Sequence, residues 1–222
     1  MRNICKILRK KDVGSIGIGA MIVFISMVLV AGIAASVLIQ TSAKLEIQAM
    51  TTGQETTDEV SGGIAVYGVI GYTVSSSDDI SKLAIGIRPR SGTEGIDLSE
   101  AYIELSDTNK KVVLKYSSTY FLDPAGQNDL FGAAVFPDEG DNPASSFGII
   151  VVEDGDDSID LAATPVINRG DKVYLCINTT GCFGDISERT DVWGIVVPEL
   201  GSPGIITFRT PASYTDNVMD LQ

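Results

Sequence analysis

Residues 15–40 read SIGIGAMIVFISMVLVAGIAASVLIQ and carry no charge. The run exceeds the roughly 20 apolar residues that span a bilayer core, and no proline interrupts it. A helix drawn through it is apolar on every side. Such a helix must be surrounded by something apolar, either lipid or copies of itself. Which of the two holds it in the working state decides what the chain does.

The opening MRNICKILRKKDVG places Arg2, Lys6, Arg9, Lys10 and Lys11 against Asp12 alone, a net +4 immediately before the apolar run. By the positive-inside rule this order keeps the N-terminus in the cytoplasm and directs the downstream chain outward. The apolar core is too long for an ordinary secretory signal, whose core is about 7–15 residues. The whole chain carries −13, and a chain shortened by those 14 residues would carry −17. An acidic surface of that size repels a phosphate backbone, so nucleic acid is not expected as a partner. Histidine is absent, which removes the commonest general base and metal ligand. There is no phosphate loop, nucleophile elbow or cysteine-rich zinc pattern either. The expected class is a structural or binding protein and not an enzyme.

Beyond Gln40 the chain turns polar without losing helical rhythm. Leu38, Leu45, Ala49, Thr56 and Val60 form one stripe, while Lys44, Glu46, Gln48, Glu55 and Asp58 fill other faces. The helix is predicted to run over residues 15–61 and to stop at Gly62-Gly63, because glycine accepts the left-handed conformation that closes helices. At about 1.5 Å per residue that is about 70 Å of helix, far more than a bilayer crossing needs. Gly17, Gly19, Ala31, Gly32, Ala35 and Ser36 are the small residues within it. The pairs Ala31/Ala35 and Gly32/Ser36 have the small-xxx-small spacing that lets helix backbones approach closely.

From Ile64 the pattern changes to short β-branched segments separated by turn residues, and all eight prolines lie from Pro89 onward. Strands are predicted over 64–74, 83–88, 101–105, 111–116, 147–153, 173–178, 192–197 and 205–208. The expected fold is α+β: a long N-terminal helix, then an all-β head over residues 62–222 built as an antiparallel sandwich or barrel of immunoglobulin type.

Four features of that head are candidates for chemistry. Cys176 and Cys182 have five residues between them and would be an even pair if residues 1–14, and Cys5 with them, were removed; they either close a disulfide loop or remain two unpaired thiols. Asn178-Thr179-Thr180 is an N-glycosylation sequon at the end of a predicted strand. The acidic loop carrying Asp154, Asp156, Asp157 and Asp160 is either a solvated turn or a Ca2+ site, although it lacks the EF-hand pattern. Trp193, the sole tryptophan, is expected in the core or in a subunit interface.

The run GSIGIGAMIVFISMVLVAGIAASVLIQTSAKLEIQAMTTGQET closely resembles the N-terminus of archaellins, the archaeal flagellins, and the ending VWGIVVPELGSPGIITFRTPASYTDNVMDLQ is similar to their C-terminal part. The resemblance implies a precursor whose leader, residues 1–14, is removed by a prepilin-peptidase-like membrane protease. Cleavage would fall between Gly14 and Ser15, with Lys10 and Lys11 as recognised charges; here Asp12 and Val13 separate those lysines from the glycine. It also implies subunits held in the membrane and then drawn by an export and motor platform into a polymer. The helix would form the filament core, the head its outer wall, and the extracellular filament would serve swimming. The alternatives are an adhesion filament of type IV pilin kind and a membrane-anchored extracellular binding domain. Bacterial pilins usually carry a glutamate a few residues into the mature chain. Here Gly19 stands at that place, and no acidic residue occurs between Asp12 and Glu46.

Overall fold

The computed structural model describes residues 2–75, 78–93, 95–123, 129–137, 144–159 and 163–222, with side chains from residue 16 onward. Helix α1 spans Arg2–Ser61 without a break. The chain divides into two compact units, Met1–Gln54 and Glu55–Gln222, so the last two turns of α1 belong to the β-domain.

The helix stops where the glycine pair predicted it. Gly63 has φ +131°, a conformation other residues rarely adopt. The neck is tied by main-chain bonds: Ile64 N donates to Ser202 O at 3.0 Å, Ser202 N to Gly62 O at 3.0 Å, and Arg90 N to Gly63 O at 2.8 Å. Two side chains add to it, since Gly63 N donates to Thr93 Oγ1 at 3.1 Å and Gly201 N to Glu59 Oε2 at 3.2 Å.

The domain holds strands β1 (Ile64–Tyr72), β2 (Lys82–Pro89), β3 (Ile96–Asp97), β4 (Tyr102–Ser106), β5 (Lys111–Leu122), β6 (Ser146–Glu153), β7 (Val166–Ile167) and β8 (Lys172–Asn178). A short helix α2 (Thr179–Cys182) comes next, then β9 (Asp191–Val197), β10 (Gly204–Arg209) and β11 (Val218–Asp220). All eight predicted strands are present. The three that the sequence pattern did not mark, β3, β7 and β11, are two or three residues long, too short to display a period.

Nine strands form one sheet in the order β10-β9-β4-β5-β6-β8-β2-β1-β11, and β3 pairs with β7 separately. Every pairing is antiparallel except β5 with β6. Instead of two separate layers, the sheet curls on itself. Edge strand β10 returns to β1, where a Cβ on Gly204 would stand 3.0 Å from Val66 Cγ2, and Thr207 N donates to Gln222 Oε1 at 2.9 Å. The result is a loosely immunoglobulin-like head.

Alternation decides which side chains enter the curl. Ile103 and Leu105 of β4, Leu114 of β5, Phe147 and Ile149 of β6 and Val173, Leu175 and Ile177 of β8 all join one buried cluster. The central strands β2, β6 and β8 are buried on their other face as well. There Ala84, Ile150 and Cys176 pack beneath Phe131, Ala133, Val135 and Phe136 of the segment crossing the sheet. Burial on both faces explains why LAIGI and FGIIV read as continuous apolar runs.

Candidate functional site

Among the described residues, the hydrophobic side chains of the helix are the ones left without cover. Every residue from 16 to 57 is exposed; Phe24, Leu29 and Ile39 are 67%, 61% and 70% accessible, whereas Leu83, Ala84, Ile85 and Ile87 of β2 are at 0%. It is long and apolar enough to cross a membrane, and none of that stretch is buried. Three of its hydroxyls bond back to the helix. Ser26 Oγ donates to Ile22 O at 2.8 Å, Thr41 Oγ1 to Val37 O at 2.9 Å and Thr51 Oγ1 to Ile47 O at 3.0 Å. These three hydroxyls are satisfied by the helix's own carbonyls, so they add no unmet hydrogen bond to the surface it offers to lipid or protein.

The small residues lie on this bare surface. A Cβ added at Gly17, Gly19 or Gly32 would meet nothing within 4 Å, so a requirement for glycine there would have to come from another molecule. A shallow apolar groove with Ser26, Ala31 and Ala34 among its lining residues runs along the same helix. Gly14, Ser15, Lys10 and Lys11 all fall within α1.

The candidate sites of the head fare differently. The disulfide admitted for Cys176 and Cys182 is not made. Both thiols are buried, and they sit in two different clusters, Cys182 inside the curl and Cys176 on the opposite face of β8. Burial pushes the Cys182 thiol up to about 12 and raises that of Cys176 further, so neither is a ready nucleophile.

The Asn178 side chain is already part of the fold. Its Nδ2 donates to Pro137 O at 2.9 Å, and its Oδ1 caps α2 by accepting from Gly181 N. Thr179 is fully buried and bonded to Ile80 O, and Thr180 is bonded to Asp185. A glycan on Asn178 would have to be attached at the nitrogen that holds Pro137.

In the acidic loop, Asp154 and Asp156 converge with Asp171, their carboxylate oxygens within 4.8 Å of one another. Each could offer one oxygen to a cation; Asp160 lies outside the described residues. All three carboxylates are also engaged in folding the loop. Asp154 accepts from the main-chain N–H of Asp156, Ser158 and Ile159. Asp171, 1% exposed, accepts from Gly155 N and Asn168 N. The hydrogen bond from Asn168, then that from Ser158, holds Asp156 below the ordinary carboxylate range. Sequence reasoning missed Asp171, which stands well downstream; the turn residues Arg169-Gly170 before it were the available signal.

Trp193 is not in the core. It is 48% exposed on the outer face of β9, with Lys111 Nζ 5.7 Å from its ring centre.

The archaeal-type flagellin family matches residues 14–208. Flagellin B2 of Methanocaldococcus jannaschii is 42% identical over 211 residues, covering 94% of this chain and 95% of that protein. The crystal structure of an archaeal flagellin from the same organism superposes with a TM-score of 0.63 at 34% identity, covering 72% of this chain and 97% of that one. The archaeal flagellum of Methanospirillum hungatei superposes with a TM-score of 0.59 over 91% of this chain and 98% of that one; at 15% identity it shares the fold.

Proposed function

The chain belongs to the archaeal-type flagellins, a family of structural subunits, and from that premise we propose how its helix is used at each stage of assembly. The protein is a structural subunit of the archaellum, the extracellular filament of swimming. It is made with residues 1–14 as a leader. While that leader is attached, its cations hold the N-terminus on the cytoplasmic side and the apolar run lies in lipid. A prepilin-peptidase-like protease then cuts between Gly14 and Ser15, with Lys10 and Lys11 as the charges it reads. The export and motor platform withdraws the trimmed helix into the filament core, and residues 62–222 face the medium.

The observation that carries this reading is the unbroken exposure of residues 16–57 of α1, in contrast to the well-buried core of the head. Each large aliphatic side chain left in water forgoes about 1.5–3 kcal/mol of burial, so water is not where this helix rests. Lipid and neighbouring helices are both apolar, and the transfer between them costs little. Close packing at Ala31/Ala35 and Gly32/Ser36 supplies the direction.

The test is intact mass and N-terminal sequencing of protein sheared from the cell surface. A chain beginning at Ser15 that sediments as filaments is the expected result. A chain beginning at Met1 and found only in detergent extracts of membrane would make the helix a permanent anchor and refute the scheme.

A further inference from the structure

After the leader the chain holds only eleven lysines and arginines against 28 carboxylates, yet four of the eleven line one cleft. This cleft, about 500 Å3, lies beside Ala65, just past the neck, and is walled by Arg88, Arg90, Arg169 and Lys172 with Glu153 and Asp171. Both carboxylates are committed. Glu153 Oε2 is 2.6 Å from Lys172 Nζ, and Asp171 accepts main-chain N–H groups beneath the cleft. Arg90 Nε donates to Ile64 O at 3.3 Å. Arg88 and Arg169 are exposed and have no ion pair among the described residues.

The other end of the same hairpin is acidic. Strand β1 pairs with β2 from Ile64 opposite Pro89 to Tyr72 opposite Lys82, so Arg88 and the turn carrying Asp78 and Asp79 are at opposite ends. Ile80 and Arg88 stand roughly 25 Å apart along the strand at about 3.3 Å per residue. Around that turn, Ile186 bridges to Ile80 and Asn217 bonds to Thr73, which brings Asp185, Glu188 and Asp216 to the same end. All five carboxylates are exposed. Of the nearby cations, Lys82 is spent on Phe131 O and Lys110 on Cys182 O, leaving Arg189.

We propose that the Arg88/Arg169 cleft receives the Asp78-Asp79 turn of a second copy of this chain. The inference rests on the filament reading and deepens it by naming a contact between heads. A surface that is basic at one end and acidic at the other is complementary to its neighbour and not to itself. Such a heterologous contact, where its rotation does not close into a ring, repeats to generate an open helical polymer. Charges of this kind fix register and reject wrong partners more than they add affinity, a useful property for heads that otherwise repel one another.

The experiment is a charge exchange in the full-length chain, read as filament recovered by shearing and sedimentation. The unaltered chain is the reference; if it forms no filaments, the filament reading fails, and the docking proposal with it. Arg88→Glu with Arg169→Glu, and separately Asp78→Lys with Asp79→Lys, should each lower recovery by about tenfold or more, and combining the four should restore it to within about twofold. Normal filaments from either one-ended reversal, or no restoration in the combination, would overturn the contact. Asp79→Cys with Arg169→Cys gives a second readout independent of charge reversal. Treated with a bismaleimide, filaments of that chain should yield a ladder of linked copies, each variant carrying only one of the two new cysteines beside the buried Cys176 and Cys182 should stop at the monomer, and filaments that give no ladder would overturn the proposal.

Discussion

Two stretches of this chain use the same side chains to opposite ends. In β2, in β8 and in β6 as far as Val151, isoleucine, valine and leucine are at or near zero exposure because the sheet and a crossing segment cover both faces. In residues 16–40 of α1 the same residue types are more than half exposed. The difference lies in the connectivity of the chain and not in composition: a strand finds its cover within the domain, whereas residues 16–57 of the helix are left exposed. Buried apolar residues inside one molecule report its stability. Bare ones report its assembly.

That contrast can be broken most sharply at Gly32. Gly32→Leu meets no neighbour in the monomer, so it should leave membrane insertion and unfolding of the head unchanged while abolishing sheared filaments; normal filaments would show that no close helix contact is made there. Phe147→Ala inverts the pattern. Phe147 is fully buried in the main cluster, and the substitution should cost the head about 3–5 kcal/mol by denaturant unfolding, while Leu29→Ala should change the same measurement by no more than about 0.5 kcal/mol.

A polar test within the head is Asp171→Ala, which leaves the N–H groups of Gly155 and Asn168 without their acceptor. It should lower stability by about 1–3 kcal/mol. Alkali probes the same buried interior without a substitution. Cys182 ionises only near 12 in the folded head, whereas an unfolded thiol does so near about 8.5. Between those values the unfolded chain binds fewer protons, so stability should fall as pH rises, by at most about 1.4 kcal/mol per unit for each buried thiol. Pulse labelling with a thiol reagent should mark Cys176 and Cys182 only in unfolded molecules.

How much of this was legible in the sequence depends on the range of the signals. The helix and its stop at Gly62-Gly63 are written in consecutive residues, as is the alternation of Ile103 with Leu105 or of Val173 with Leu175 and Ile177. The parallel pairing of β5 with β6 depends on how distant segments meet, and no local pattern encodes it. The same holds for Asp171 joining Asp154 and Asp156, and for the separation of Cys176 from Cys182. Close in sequence, those two cysteines look like partners, but β8 ends and α2 turns between them. The exposure of Trp193 was hidden for a related reason. A tryptophan in a strand can face either way, and the register of β9 against β4 and β10 turns it outward.

The neck has a mechanical consequence. A propelling filament loads each subunit in tension and torsion where the helix passes into the head. At that point the chain does not hang by one peptide bond: Gly62, Gly63 and Ile64 are laced to Ser202, Thr93 and Arg90, and Glu59 reaches across to Gly201. These ties act in parallel, so none has to carry the whole force, and they run from the start of β1 to the loop before β10 on the far side of the sheet order. A pull at the joint is thus spread over both ends of the sheet at once, as a strap sewn to two seams tears less easily than one sewn to a single edge.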